Sequence, residues 1–246
     1  IKTAPLQDAI QKGEAYPLIS KRGLKLLKQA RFAGELRTLI SKDDWKALVL
    51  CVERLDDHEL KTMEETEAAW SEVKDKCSEL ESRLEASLEA GCSKRIGAGK
   101  AWDRSVLSTN HVRVAAESVS SFPHTTDKGR KLLVQADMVV EVRGALLAGC
   151  NWESASSWGA LSSLLLGLPV GSKDVQEVSN AWQELGDMRV KTEHALTAAL
   201  EGGRSRRSGK VWDHSPIAPQ LPQLEAALGE LEAFPAKTDV GADLCA

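Results

Sequence analysis

Apolar residues in this chain recur three and four positions apart, and no apolar/polar alternation reaches five residues. That periodicity predicts helices and no strand. Leu6, Ala9 and Ile10 place a helix within the first 15 residues, with Thr3 as its cap and Pro5 in its first turn. Tyr16-Pro17 stops it, because proline disfavours helix in the residue before it. Leu24, Leu27, Ala30 and Ala33 share one face of a helix from Ser20 to about Ser41, widened by Leu26, Leu36 and Ile40. Asp43-Asp44 ends that helix and caps a short one over 45–55, an αα-hairpin with Trp45 at its corner.

A long helix is predicted over 58–90. On it Met63, Trp70, Cys77 and Leu84 fall seven residues apart, with Val73 and Leu80 beside them, the spacing of a narrow packing seam. The Glu-rich stretches, Glu64-Glu65 and Glu79 to Glu85, read as its solvated face. Gly91 suits a C-cap, and Gly97 and Gly99 predict a loop over 91–108. A helix over 110–121 follows. Its later counterpart, over 222–233, carries Leu224, Leu228 and Leu231, after a connection stiffened by Pro216, Pro219 and Pro222.

The same order of elements occurs twice. An aromatic-proline step followed by glycine recurs as Tyr16-Pro17…Gly23, Phe122-Pro123…Gly129 and Phe234-Pro235…Gly241. Lys25-Leu26-Leu27 matches Lys131-Leu132-Leu133, and Arg37 falls on Arg143, at an offset of 106. Ala69-Trp70, Leu84 and Leu88 fall on Ala181-Trp182, Leu196 and Leu200 at 112. Gly99-Lys100-Ala101-Trp102-Asp103 falls on Gly209-Lys210-Val211-Trp212-Asp213 at 110. The offset shifts only where loops are expected. In the second copy the seam is Val175, Trp182, Arg189 and Leu196, with Leu185 alongside.

The chain therefore reads as an all-α tandem helical repeat of two units, each of roughly 110 residues and about four helices, in an elongated bundle or solenoid. Residues 1–16 are the last helix of a preceding unit, 17–122 and 123–234 are the two units, and 235–246 begin another. In period the unit is similar to a spectrin-type repeat. The proline, the short helix and the Gly-rich loop interrupt what would be three long helices, so that family is not assigned.

Composition supports this picture. Aromatic residues are 4% of the chain and are mostly tryptophan, which suits close helix packing around a few large anchors. A net charge of −4 gives no global field to recruit nucleic acid or an anionic membrane. No apolar run is long enough to span a bilayer, and no signal peptide is recognised. The chain opens at Ile1, which suggests a fragment or a processed chain. Five cysteines, none in a CxxC pair, argue for a reducing compartment rather than a disulfide framework.

The Gly-rich loops are the most suggestive chemistry. Their Gly-Lys ending invites a phosphate-loop reading, but the GxxxxGK[ST] spacing is absent and Ala101 and Val211 stand where a magnesium-holding hydroxyl is needed. Lys94, Arg95, Lys100 and Arg104, then Arg204, Arg206, Arg207 and Lys210, form paired basic clusters suited to carboxylate or phosphate. The plainer reading is a solvated turn whose Trp docks on helices and whose Asp caps a turn. The tryptophans read as core anchors before ligand contacts. The five histidines show no metal-ligand spacing, and His194 beside Glu193 reads as a solvated pair.

No catalytic residue, cofactor or metal is assigned. The leading expectation is a non-enzymatic scaffold or interaction segment of a larger cytoplasmic, cytoskeletal or flagellar protein. Its partners would be other proteins and adjacent repeat units, with no nucleic acid and no membrane span. The alternative is a module that binds acidic protein tails, phosphate or lipid headgroups through the paired basic loops.

Overall fold

The computed structural model describes residues 4–96, 101–148, 155–169, 171–204, 206–208, 211–213 and 217–232. They form an all-α fold: α1 (Ala4–Glu14), α2 (Lys21–Ser41), α3 (Trp45–Glu53), α4 (His58–Lys61), α5 (Glu64–Glu89), α6 (Asn110–Ser121), α7 (Asp127–Ala148), α8 (Ala155–Gly167), α9 (Gln176–Gly202) and α10 (Ile217–Glu232). A 3-10 turn, Ser172–Asp174, precedes α9. Among the described residues no helix is long and apolar enough to cross a membrane.

Helix starts follow from caps. Ser20 Oγ accepts the Gly23 amide at 3.1 Å and opens α2. Thr126 Oγ1 accepts the Gly129 amide at 3.0 Å at the start of α7. The glycine of the recurring marker is thus the residue whose amide meets the capping hydroxyl. The third marker, around Gly241, lies outside the described residues. Asp44 Oδ1 accepts from the Ala47 amide at 3.1 Å and opens α3, after a tight corner in which Asp43 takes φ +54°.

Four expectations are corrected. The helix expected over 58–90 is broken between α4 and α5. Thr66 Oγ1 donates to the Leu60 carbonyl at 2.6 Å and the Thr66 amide to the Met63 carbonyl at 3.0 Å, so a side chain takes an acceptor the α-helical ladder would use. The expected absence of strands gives way to two small antiparallel hairpins, β1 (Lys94–Ile96) with β2 (Ala101–Asp103), and β3 (Arg206–Ser208) with β4 (Val211–Asp213). Strands of three residues are too short to leave an alternating pattern. Helix α10 begins at Ile217, so Pro219 and Pro222 lie within it. Pro219 falls in the first turn, where amides have no intrahelical partner, and Pro222 forfeits one bond. Finally, Glu81 is buried rather than solvated: Thr126 Oγ1 donates to it, and Cys77 Sγ lies 3.4 Å from Oε1.

The chain compacts into two units, Ile1–Ala86 with Val114–Leu133, and Ser87–Arg113 with Val134–Ala246. Unit 1 is built on Phe32, Leu36, Leu48, Ala69, Val73 and Phe122. Its tryptophans serve as anchors: Trp45 packs on Phe122 with ring centroids 6.1 Å apart, and Trp70 meets His124 edge-on at 5.1 Å. Unit 2 is built on Val142, Leu146, Trp158, Leu161, Val178 and Ala181, and Leu107 joins that core. A second patch in unit 2 joins Leu196 on α9 to Ala227 and Leu231 on α10. The seam residues Val73, Cys77, Leu84, Leu185 and Leu196 are all buried.

Candidate functional site

The Gly-rich segment after α5 ends in unit 2, held down by a buried polar network. Gly91 turns the chain at φ +78°, and a Cβ there would sit 2.7 Å from the Val106 carbonyl. Only glycine fits that turn. Cys92 and Ser93 then pass under α7 and α9, both buried. Arg143 on α7 and Glu177 on α9 form the centre: Arg143 Nε to Glu177 Oε2 is 3.0 Å, with side chains 1% and 0% exposed.

The remaining valences of this pair are spent on the segment. Arg143 Nη1 donates to the Ser108 carbonyl at 3.0 Å and Nη2 to the Leu88 carbonyl at 2.9 Å. Ser93 Oγ donates to Glu177 Oε1 at 3.1 Å. Asn180 Nδ2 donates to the Ser93 carbonyl at 2.8 Å, and Gln176 Nε2 donates to Asn180 Oδ1 at 2.8 Å. A buried ion pair is tolerable only when its leftover donors and acceptors are met, and here backbone carbonyls and a hydroxyl meet them. Burial and the Glu177 charge push the Cys92 thiol above its ordinary value.

The first hairpin stands on this base. Arg95 pairs with Asp187 of α9 at 2.6 Å and lies 5.1 Å from the Trp102 ring centroid. Trp102 Nε1 donates to the same Asp187 carboxylate at 3.1 Å. Arg104 pairs with the buried Glu184 and stacks over Trp158, 6.0 Å from its ring. Asp103 Oδ1 accepts from the Ser105 amide at 2.9 Å and from its hydroxyl at 2.6 Å, which holds the Asp103 carboxyl below its usual range. Both parts of the plainer expectation, a docked Trp and a turn-capping Asp, are present in this hairpin. An open groove of about 570 Å³ runs beside it, lined by Lys94, Arg95, Trp102, Gln176, Asn180 and Gln183.

The eight basic residues expected to grip an anion are therefore in different situations. Lys94 and Arg95 share a groove, and Arg95 and Arg104 are engaged by acidic side chains of α9. Arg204 is exposed at the end of α9. Arg206 and Arg207 lie on β3, opposite Asp213 and Trp212. Lys100 and Lys210 lie outside the described residues. His194 is exposed, whereas Glu193 is buried, so the two do not form a solvated pair. Among the described residues no group of three or more His, Cys, Asp or Glu could hold a metal ion.

Sequence reasoning gave no role to Ser93, Arg143, Glu177 and Asn180. A signal was there: Arg143 stands 106 after Arg37, and Glu177 stands 112 after Glu65. In unit 1 those earlier residues also pair, Arg37 Nη2 to Glu65 Oε1 at 3.1 Å, but with side chains 31% and 35% exposed. They line an open groove of about 510 Å³ with Leu36, Ile40, Ala68, Ala69 and Glu72. No family model matches the chain, and neither a curated protein nor a solved structure matches it.

Proposed function

We propose that this chain is a non-enzymatic scaffold or protein-interaction segment built from two tandem helical units, 17–122 and 123–234, within a cytoplasmic or cytoskeletal assembly. One observation carries the reading. Cys92, Ser93 and Leu107, in the segment between α5 and α6 of the first sequence copy, are buried, and the Arg143–Glu177 pair on helices of the second copy bonds Ser93 and the Ser108 carbonyl. Consecutive copies joined in this way share burial, as neighbours in a repeat array do. The hairpin registers add support: Lys94↔Asp103 and Arg95↔Trp102 in one, Arg206↔Asp213 and Arg207↔Trp212 in the other.

Proximity labelling from the full-length protein in its own cells, with fractionation, tests the reading. A scaffold labels a recurrent set of assembly subunits and stays with the detergent-insoluble fraction. A fully extractable protein whose labelled neighbours do not recur overturns it.

The second reading is a module for anionic partners. The groove holding Lys94, Arg95 and Trp102 and the exposed Arg204 favour it. Reversing Arg204, Arg206 and Arg207 to Glu abolishes binding to acidic peptides or phosphate-bearing vesicles under that reading; unaltered binding excludes it.

A further inference from the structure

One groove in unit 1 repeats, residue for residue, positions that are occupied in unit 2. The socket is the groove between α2 and α5 in unit 1. Each residue that lines it has a counterpart on α7 or α9: Leu36 with Val142, Arg37 with Arg143, Ile40 with Leu146, Glu65 with Glu177, Ala69 with Ala181, and Glu72 with Glu184. In unit 2 those counterparts are met by Ser93, Arg104, Leu107 and the Ser108 carbonyl. Ser93 sits on Glu177, Arg104 on Glu184, and Leu107 joins the core of Val142, Leu146 and Ala181. In unit 1 the Arg37–Glu65 pair is partly open to solvent, and Ala68 and Glu72 are exposed.

The acidic partners of the first hairpin recur as well. Arg95 and Trp102 both bond Asp187, and Asp75 stands 112 residues before it, exposed on α5. Unit 1 therefore presents Glu72 and Asp75 at the positions where unit 2 grips a basic hairpin.

The plug is the second hairpin. Arg207 and Trp212 hold the same cross-strand register as Arg95 and Trp102, and Ile217 aligns with Leu107. We propose that the α2–α5 groove of unit 1 docks the β3–β4 hairpin of a second copy of this chain, head to tail. The inference rests on the tandem reading, and it names the acidic partner of the second basic loop as the α5 face around Glu72 and Asp75. Because plug and socket are different surfaces, the contact is heterologous and can propagate.

Sedimentation velocity over a concentration series tests this with the full chain. Three proteins are needed: wild type, Ala68→Arg, which puts a bulky cation in the socket at an exposed helical position, and Trp212→Ala, which removes the plug's anchor. Wild type should sediment as species larger than 26.7 kDa as concentration rises. Each variant alone should stay monomeric to at least tenfold higher concentration. Mixed, the two variants should form a dimer and nothing larger, because Trp212→Ala keeps an intact socket and Ala68→Arg an intact plug. Circular dichroism checks that each variant is folded; should Trp212→Ala unfold, Arg207→Glu replaces it. A wild type that stays monomeric throughout, variants that still associate, or a mixture that gives no dimer overturns the docking. None of these outcomes disturbs the tandem reading, which falls separately if experimental coordinates for 17–122 and 123–234 do not superimpose.

Discussion

Arg143 and Glu177 form an ion pair that water does not reach, while Arg37 and Glu65, which stand 106 and 112 residues before them, are about one-third exposed. The residue types are the same at both sites, and the exposure differs with what covers them. The two pairs should therefore respond differently to substitution. Removing one partner of the buried pair, by Glu177→Leu or Arg143→Met, should cost about 3–5 kcal/mol, because the other partner is left buried and unmatched. Replacing both, Arg143→Met with Glu177→Leu, should cost less than the sum. Arg37→Ala or Glu65→Ala should cost at most about 1 kcal/mol. Urea unfolding of the five variants measures all of this, and similar losses at the two sites would refute the comparison.

Two glycines of α7 should respond with opposite signs. A Cβ on Gly129 would stand 2.6 Å from Glu81 Oε1, an oxygen already held by Thr126. Gly129→Ala should destabilise by about 1–3 kcal/mol, outweighing its helical gain. A Cβ on Gly144 meets nothing within 4 Å. Gly144→Ala should stabilise by about 0.5–1 kcal/mol. Thermal unfolding of both variants decides.

Cysteine labelling should report burial. The Cys77 thiol is pushed up by burial and then by the hydrogen-bonded Glu81, and Cys92 by burial and then by the Glu177 charge. Both side chains are also shielded from reagent. Peptide mapping after iodoacetamide at mildly alkaline pH should find Cys51, which is half-buried, labelled before Cys77 and Cys92. Cys77 and Cys92 should label only as the chain opens. Labelling of Cys92 as fast as a free thiol would contradict the packing of the segment around it.

Acid should weaken the start of α4. Asp57 accepts a hydrogen bond from Lys28 and, through Oδ1, bonds from the Glu59 amide at 2.9 Å and the Leu60 amide at 3.3 Å. The Lys28 bond is the largest cause of its lowered pKa. With the folded value below the unfolded one of about 3.9, the contribution is complete above that value and lost as pH falls through the folded pKa. The stability gap between wild type and Asp57→Asn should hold from pH 7 to about 5 and shrink as pH falls below about 3.9. A gap that widens in acid would reverse the sign of this argument.

Much of the fold was legible because it is written locally. Ser20 and Asp44 mark helix starts by hydroxyl or carboxylate chemistry acting across three residues. The seam of Trp70, Cys77 and Leu84 shows in spacing alone, as do the tryptophan anchors. The break between α4 and α5 was not visible, since it depends on one threonine hydroxyl choosing the Leu60 carbonyl. Glu81 was assigned to solvent because its neighbours are charged; its burial depends on Thr126, forty-five residues away.

What the amino-acid order determined by itself is the alphabet of helices, their caps and the recurrence of an Arg and a Glu at matched positions. Those follow from short-range hydrogen bonding and from periodicity. Tertiary structure decided the rest: that the Gly-rich segment lies on α7 and α9, and that Asp187 and Glu184 take up Arg95 and Arg104. The reason is physical. A charge is made costly or harmless by the atoms that surround it, and at Arg143 those atoms come from residues 88, 108 and 177, which chain folding alone brings together.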